Sequence, residues 1–392
     1  MSLVLEELIA DQNIQIILSM VIALTITWRS IPVIRNICQI RNLLENPVKR
    51  SSHSSPTPTF GGVGIFAGTL TAYLIWNFED EGFLLHKVLA GLIGLFFLGL
   101  KDDLFALAPL KKLASQIIIS VLVVVGSNLC ITSFFGIFGI YEIPYFVGVV
   151  LTVFIFVAMI NSFNLIDGID GLAGGIGMIS SAGFGLWFML NQHWSLACLS
   201  LSLSASLLGF LRYNYSKTSK IFMGDTGSLM VGFIVTMLAV KFITLNQDHN
   251  FSPNNHYVSA PVLVIVLLSV PIFDSLRVFG LRILKRKSPF KPDRLHIHHL
   301  LVDNGMSHLA ASLSLYTMTI VLTVFTYYLR SFFTNTALSL YVAVIFAVYL
   351  AVGSWLELRR FRMHRTKKAK EVSGQTSPTR TLGLGGSPVS QN

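Results

Sequence analysis

Long apolar runs, separated by short polar stretches, make up most of this 392-residue chain. A membrane-spanning helix needs about 20 consecutive, mainly apolar residues. The pattern therefore predicts an all-α polytopic membrane protein with about 11 transmembrane helices. We place the eleven spans at 14–34, 60–77, 86–100, 112–128, 143–160, 172–190, 195–212, 227–245, 258–279, 309–329 and 336–356.

Composition supports the same class. Hydrophobic residues make up 53% of the chain and charged residues only 12%, whereas a soluble domain carries about 25% charged residues. The formal net charge of +10 then reflects membrane orientation, and we expect no nucleic-acid partner. The three cysteines have neither paired nor metal-like spacing, which argues against a disulfide framework or a zinc site.

The distribution of Lys and Arg predicts the orientation. One set of alternating loops, with its helix ends and the tail, holds all of them except Lys87, Lys241 and Arg330. Because positive charge accumulates on the cytoplasmic side, we expect the N-terminus outside and the C-terminus in the cytoplasm. Residues 1–358 then form the membrane domain, and residues 359–392 form a cytoplasmic tail that is basic at first and then disordered.

The polar stretch NSFNLIDGIDGLAGG between two apolar runs is the central motif. Its amides Asn161 and Asn164 and its carboxylates Asp167 and Asp170 follow one another at three-residue spacing. Helical residues at that spacing are neighbours, and ionisable groups at a membrane boundary indicate function by default. A polar loop that merely caps a helix needs one carboxylate and no amide pair, so the functional interpretation is favoured.

Two further loops on the predicted cytoplasmic side carry carboxylates. In GLKDDL, the adjacent Asp102 and Asp103 repel each other, and a metal or a shared proton is the usual reason for such a pair. In KIFMGDTGSL, Lys220 supplies a cation, while Asp225 lies in a turn before a helix. Such a turn can present N–H groups to phosphate while its carboxylate holds Mg²⁺, and an Asp that caps the helix is compatible with that role.

The two remaining loops are basic. Arg50 and His53 precede PTPTFGG. A turn with positive-inside charge explains this loop as well as a functional role does. The loop PDRLHIHHLL contains Arg294 and three histidines without a matching ligand set for zinc, so contacts to an anionic substrate are favoured. Together, the five loops combine Asp, Lys, Arg and His on one predicted face, as phosphoryl transfer requires.

The ordered motifs PTPTFGG, GLKDDL, NSFNLIDGIDGLAGG, FMGDTGSL and PDRLHIHHLL resemble the polyprenyl-phosphate N-acetylhexosamine-1-phosphate transferase family. The resemblance covers about residues 45–305. Within the family, PDRLHIHH and eleven spans favour the branch that initiates surface polysaccharides from UDP-N-acetylglucosamine. The alternative is the peptidoglycan branch, which uses UDP-MurNAc-pentapeptide and usually has three successive histidines and ten spans.

The resemblance implies a reaction and its partners. The phosphate of undecaprenyl phosphate attacks the β-phosphorus of a UDP-N-acetylhexosamine, giving a lipid-linked diphospho-sugar and UMP. It further implies Mg²⁺, with Mn²⁺ as a substitute, a multi-pass position in the bacterial inner membrane among its lipids, an active site in the cytoplasmic loops and a homodimer.

The resemblance also assigns roles to residues. Asp225 matches the Mg²⁺ ligand, with Asn164 as a second ligand. Asp102 and Asp103 match a pair that deprotonates or orients the lipid phosphate, and Asp167 and Asp170 match positions of nucleotide binding and catalysis. An aspartate acting as a base and one forming a covalent intermediate are both open. Substrate binding is assigned to Arg50, His53, Asn161, Asn164, Lys220, Arg294, His296, His298 and His299.

Two other classes of protein share parts of this pattern. A secondary transporter also has carboxylates and glycine-broken helices, but usually near the bilayer midplane and within repeated halves. Here the motifs lie at one surface and no repeat is visible. An aromatic prenyltransferase would have Asp-rich pairs in matched loops, whereas Asp167 and Asp170 lie in an Asn-rich block.

The metal assignment yields a first prediction. Asp225→Asn is expected to lower sugar-phosphate transfer far more than protein abundance, because a metal ligand is lost while the fold is kept. Transfer rates and membrane levels of the variant and the wild type would be measured side by side. Wild-type turnover by the variant would contradict the assignment of Asp225 to the metal.

Overall fold

The computed structural model describes residues 11–44, 56–76, 78, 82–247, 257–286 and 294–374. Within these residues the regular secondary structure is helical apart from one antiparallel β-hairpin, whose strands are β1 and β2. In chain order, the elements are α1 (Gln12–Ile40), α2 (Gly61–Leu74), α3 (Gly82–Leu104), α4 (Pro109–Gly126), β1 (Ser133–Ile137), β2 (Ile140–Glu142), α5 (Tyr145–Ile166), α6 (Leu172–Leu190), α7 (Trp194–Asn214), α8 (Gly224–Leu245), α9 (Ala260–Leu267), α10 (Ser269–Leu284), α11 (Ile297–Asp303), α12 (His308–Leu329) and α13 (Asn335–Gly374).

The predicted class, an all-α polytopic membrane protein, is confirmed. Nine helices in the described part of the chain are long and apolar enough to cross a membrane, and α9 with α10 forms a bent pair that passes the same test. Ten of the eleven predicted spans each coincide with one helix, although α2 has only 14 residues. The number of spans, the orientation and the domain boundary at residue 358 stay predictions; α13 continues through that boundary to Gly374.

The predicted span 258–279 is not a single helix in the structure. It consists of two helices, α9 and α10, with a bend of 76° between them. The break follows from Pro271, three residues into α10. Proline has no N–H to donate, and its ring clashes with the carbonyl four residues earlier, which here is that of Leu267. α9 ends at that residue.

Proline is accommodated differently in α1, which continues through Pro32. The missing N–H of Pro32 deprives the carbonyl of Trp28 of its usual helical donor. The hydroxyl of Tyr213, from α7, donates to that carbonyl at 3.0 Å instead. A neighbouring helix thus satisfies the freed carbonyl, as is required where lipid supplies no donor.

The core lies around α7 and α8, whose residues are almost all buried. α8 packs against α3, α5 and α2, and α7 packs against α1 and α6. At one end of this core, α2 and α8 approach so closely that a side chain on Gly62 would overlap the backbone of Gly227. The N–H groups of Gly61 and Gly62 donate to the carbonyls of Phe222 and Met223, each at 2.9 Å.

The turn that begins α8 depends on the same close packing. Gly224 has a φ of +72°, a left-handed conformation that glycine adopts without steric cost. A side chain there would overlap the carbonyl oxygen of Thr59. The motifs PTPTFGG and FMGDTGSL therefore dock onto each other through their backbones, which fixes Asp225 at the end of the bundle.

Candidate active site

A cavity of about 840 Å³ opens where the ends of α3, α5 and α8 meet. It brings together residues from all five predicted loops, with Thr59 and Phe60 from the motif PTPTFGG. The predicted site residues that line it are Asp102, Asp103, Asn164, Asp167, Asp170, Asp225 and His299. Those that the structure describes outside its lining are Asn161, Lys220, Arg294, His296 and His298. Arg50 and His53 lie outside the described residues.

The carboxylate of Asp103 holds the beginning of α8. It accepts hydrogen bonds from the backbone N–H groups of Asp225 and Thr226, at 2.7 and 2.9 Å, and from the Thr226 hydroxyl at 2.5 Å. The first N–H groups of a helix have no partner within the helix, and a carboxylate there also interacts favourably with the helix dipole. Asp103 therefore fixes the turn that carries Asp225.

Lys112, which the sequence did not single out, bridges two of the cavity's carboxylates. Its Nζ lies 2.9 Å from Oδ2 of Asp102 and 2.7 Å from Oδ2 of Asp225. The other oxygen of Asp102 accepts the N–H of Leu107 at 2.6 Å. In the sequence, Lys112 stands beside Lys111 at the start of an apolar run, where the positive-inside rule explains it fully.

The two amides of the central motif have different surroundings. Nδ2 of Asn164 donates to Oδ1 of Asp225 and, at 2.9 Å, to Oγ of Ser228. Because its nitrogen faces Asp225, Asn164 would have to turn its amide over to present an oxygen to a metal. Nδ2 of Asn161 donates to Oε1 of Gln116 at 2.6 Å, so this amide joins α5 to α4.

The two carboxylates of the central motif line the cavity at the end of α5. Asp167 is the first residue after that helix. Oδ2 of Asp170 lies 2.7 Å from Nζ of Lys220 and 2.9 Å from Nδ1 of His308, a residue that sequence reasoning missed. Burial raises the pKa of Asp170, but the hydrogen bonds from His308 and Lys220 outweigh it and leave the pKa below its ordinary value.

The three predicted histidines separate into two environments. Asp274, a buried carboxylate in α10, lies 2.9 Å from Nδ1 of His296 and 3.6 Å from Nδ1 of His298, and it accepts the N–H of Ile297 at 2.8 Å. Both of these histidine side chains are buried. His299 alone among the three lines the cavity, beside Gly168. An ionisable residue inside an apolar run is a signal that could have indicated Asp274.

His299 is uncharged in this environment. Burial, followed by electrostatic repulsion from His298 and Arg294, lowers its pKa to about 2. Arg294 itself does not line the cavity, because its Nη2 pairs with Oδ1 of Asp303 at 2.9 Å.

The residues present fit the Mg²⁺ ion that the resemblance implies. The described part of the chain has no cluster of three or more His, Cys, Asp or Glu residues at metal-binding distances. Mg²⁺, however, is usually held by one or two carboxylates together with substrate phosphates. Asp102 and Asp225 offer such oxygens, and a cavity lined by five aspartates needs added positive charge before it can bind a polyanion.

Comparison with known proteins agrees with this chemistry. The sequence profile of "Glycosyl transferase family 4" matches residues 85–243, which contain all five cavity aspartates. The undecaprenyl-phosphate alpha-N-acetylglucosaminyl 1-phosphate transferase of Yersinia pestis is 32% identical over 68% of this chain and 71% of its own length. The transferase of the same name from Escherichia coli strain K12 is 31% identical over 70% and 72%, respectively.

A more distant relative aligns over a longer stretch. The probable undecaprenyl-phosphate N-acetylglucosaminyl 1-phosphate transferase of Bacillus subtilis strain 168 is 29% identical over 87% of this chain and 92% of its own length. These matches confirm the resemblance that the ordered loop motifs indicated.

The bridge made by Lys112 yields a second prediction. Lys112→Gln is expected to lower turnover at least about 100-fold, because the cation between Asp102 and Asp225 is lost from the reaction centre. Initial rates in detergent would be compared with those of Lys111→Gln, which removes the same charge from the neighbouring, exposed residue. Wild-type rates for Lys112→Gln, or an equal loss in both variants, would contradict the assigned role.

His299 yields a third prediction, on pH. Because its pKa is lowered, the ring stays neutral as the pH falls through the ordinary histidine range, and no proton is gained there. The ratio of wild-type to His299→Gln activity is therefore expected to be constant from about pH 6 to pH 8. A ratio that changes with a midpoint near the ordinary histidine pKa would show that the ring titrates in that range.

Proposed function

Because the chain belongs to glycosyl transferase family 4, we propose that it transfers N-acetylglucosamine 1-phosphate from UDP-N-acetylglucosamine to undecaprenyl phosphate, with release of UMP. The observation that carries the proposal is the convergence of Asp102 and Asp225 on one cavity, where Lys112 bridges them, within the stretch that matches the family. The product would be the first lipid-linked intermediate of a cell-surface polysaccharide.

The proposed reaction exchanges one phosphorus–oxygen bond for another. An oxygen of the lipid phosphate bonds to the β-phosphorus, which carries the sugar. The bond from the β-phosphorus to the oxygen that bridges the two phosphates breaks, and UMP leaves with that oxygen. Both reactants are anions, so the protein has mainly to position them and to neutralise their charge.

Lys112 is suited to this task. Its ammonium group is fixed by two carboxylates on different helices, so it is held in place before the substrates arrive. Preorganised charge of this kind costs no rearrangement at the moment of reaction. We assign Lys112 to neutralising the transferred phosphate group.

Asp225 and Asp102 would hold Mg²⁺, because each carboxylate has about four lone-pair sites and, among the described residues, only two donors bind each of them. When bound, the ion would act as a Lewis acid on the diphosphate and lower the repulsion between the two substrates. Asp103 has a different task, because three donors from the beginning of α8 already occupy its carboxylate. We assign Asp103 to positioning Asp225.

The architecture supports a membrane-bound acceptor. The cavity lies at the helix ends that the charge distribution predicts to face the cytoplasm, where UDP-sugars are made available. The polyprenyl chain can therefore stay in the bilayer while its phosphate reaches the aspartates. We infer a position in a bacterial inner membrane; a homodimer stays a prediction.

Release of UMP tests the proposal directly. Purified protein in detergent is expected to release UMP from UDP-N-acetylglucosamine only when undecaprenyl phosphate and Mg²⁺ are both present. The panel would include UDP-N-acetylgalactosamine and UDP-MurNAc-pentapeptide, with Asp225→Asn as the inactive control. A response to the pentapeptide substrate alone would place the chain in the peptidoglycan branch. No release with any substrate would overturn the transferase and favour a transporter.

A further inference from the structure

We propose that the polar end of α13 is a positioning element for the active site. In this proposal, which rests on the function proposed above, Arg360 holds the segment 294–304 so that His299 faces the cavity. We call residues 294–304 the histidine segment. It contains Arg294, His296 and the short helix α11.

The histidine segment cannot hold its own position. α11 has only seven residues, and an isolated helix of that length has no stability in water. Its place beside the cavity therefore depends on contacts with other elements. On one side, the buried Asp274 of α10 binds His296 and the N–H of Ile297. The other side faces α13.

Arg360 makes the central contact from α13. Its Nη1 lies 3.1 Å from the carbonyl oxygen of Arg294 and 3.1 Å from Oδ2 of Asp303. These two acceptors stand at the two ends of the histidine segment, and Arg294 pairs with the other oxygen of Asp303 at 2.9 Å. One guanidinium group thus connects both ends of the segment to a single helix.

A second arginine, Arg277, binds Leu295, the residue that follows Arg294 in the segment. Nη1 of Arg277, a buried side chain of α10, donates to the carbonyl of Leu295 at 2.5 Å, and its Nη2 lies 3.7 Å from the carboxylate of Glu357. Arg277 reaches Glu357 past Gly353, where any side chain would overlap the guanidinium group. One further bond, from Nδ2 of Asn304 to the carbonyl of Leu356 at 3.1 Å, closes the contact.

These contacts explain why the polar part of α13 matters for the site. Glu357 and Arg360 lie one turn apart on the face that meets the histidine segment, whereas Arg359 and Arg362 are exposed. Positive charge near a cytoplasmic boundary explains the exposed pair. It does not explain Arg360, which is bonded to both ends of a segment that lines the cavity through His299.

Hydrogen exchange tests the positioning without any substrate. In Arg360→Ala, amides of the peptide 294–304 are expected to exchange about tenfold faster than in the wild type, because the segment opens more often. Arg362→Ala removes the same charge from an exposed position and is expected to leave that exchange unchanged. Equal exchange in the wild type and Arg360→Ala would overturn the proposal, whether or not the protein is a transferase.

Kinetics then test whether the positioning acts through His299. Arg360→Ala is expected to lower kcat/KM for the UDP-sugar about tenfold, the usual effect of losing a supporting contact, with the KM for the lipid acceptor unchanged. Arg360→Lys, which keeps a charge for Asp303, should recover part of the loss. In a His299→Ala background, Arg360→Ala should have no further effect. A full, additive loss there would show that Arg360 does not act through His299.

Discussion

The carboxylate of Asp103 joins the end of α3 to the beginning of α8, and the active-site geometry depends on that junction. The first N–H groups of a helix have no partner within the helix, and Asp103 provides one for those of Asp225 and Thr226. Replacing a capping residue costs about 0.5–2 kcal/mol in measured cases. Here the same bonds set the direction of Asp225, which in turn fixes Lys112 and Asn164.

Hydrophobic patterning was sufficient to predict the helices, because lipid forces nearly every spanning segment to be helical. It was not sufficient to predict how helix ends meet. The pairing of Asp103 with the α8 backbone and the bridge of Lys112 join residues far apart in sequence, and each residue alone has a simpler explanation. The bend before Pro271 was readable in principle, but the apolar run continues across it.

In the histidine-rich loop, the sequence predicted more residues in the site than the structure places there. Three histidines beside lysines and arginines suggested three contacts to substrate, but two of them are buried against Asp274 and one reaches the cavity. The sequence gives their residue types and leaves their directions open, since these depend on a carboxylate in a different helix. The sequence therefore predicted which residue types the site needs better than it predicted which of them face the cavity and which hold others in position.

The shortness of α2 has a consequence for the surrounding membrane. Fourteen residues at 1.5 Å each give a helix about 21 Å long, whereas the hydrocarbon layer is about 30 Å thick. If α2 crosses the bilayer as predicted, this mismatch would be met by local thinning of the bilayer or by one helix end that lies below the bilayer surface. Because α2 begins where it docks onto the α8 turn, thinning or sinking at that end would shorten the distance between lipid headgroups and the aspartates. An amphiphilic substrate can then react without leaving its own leaflet.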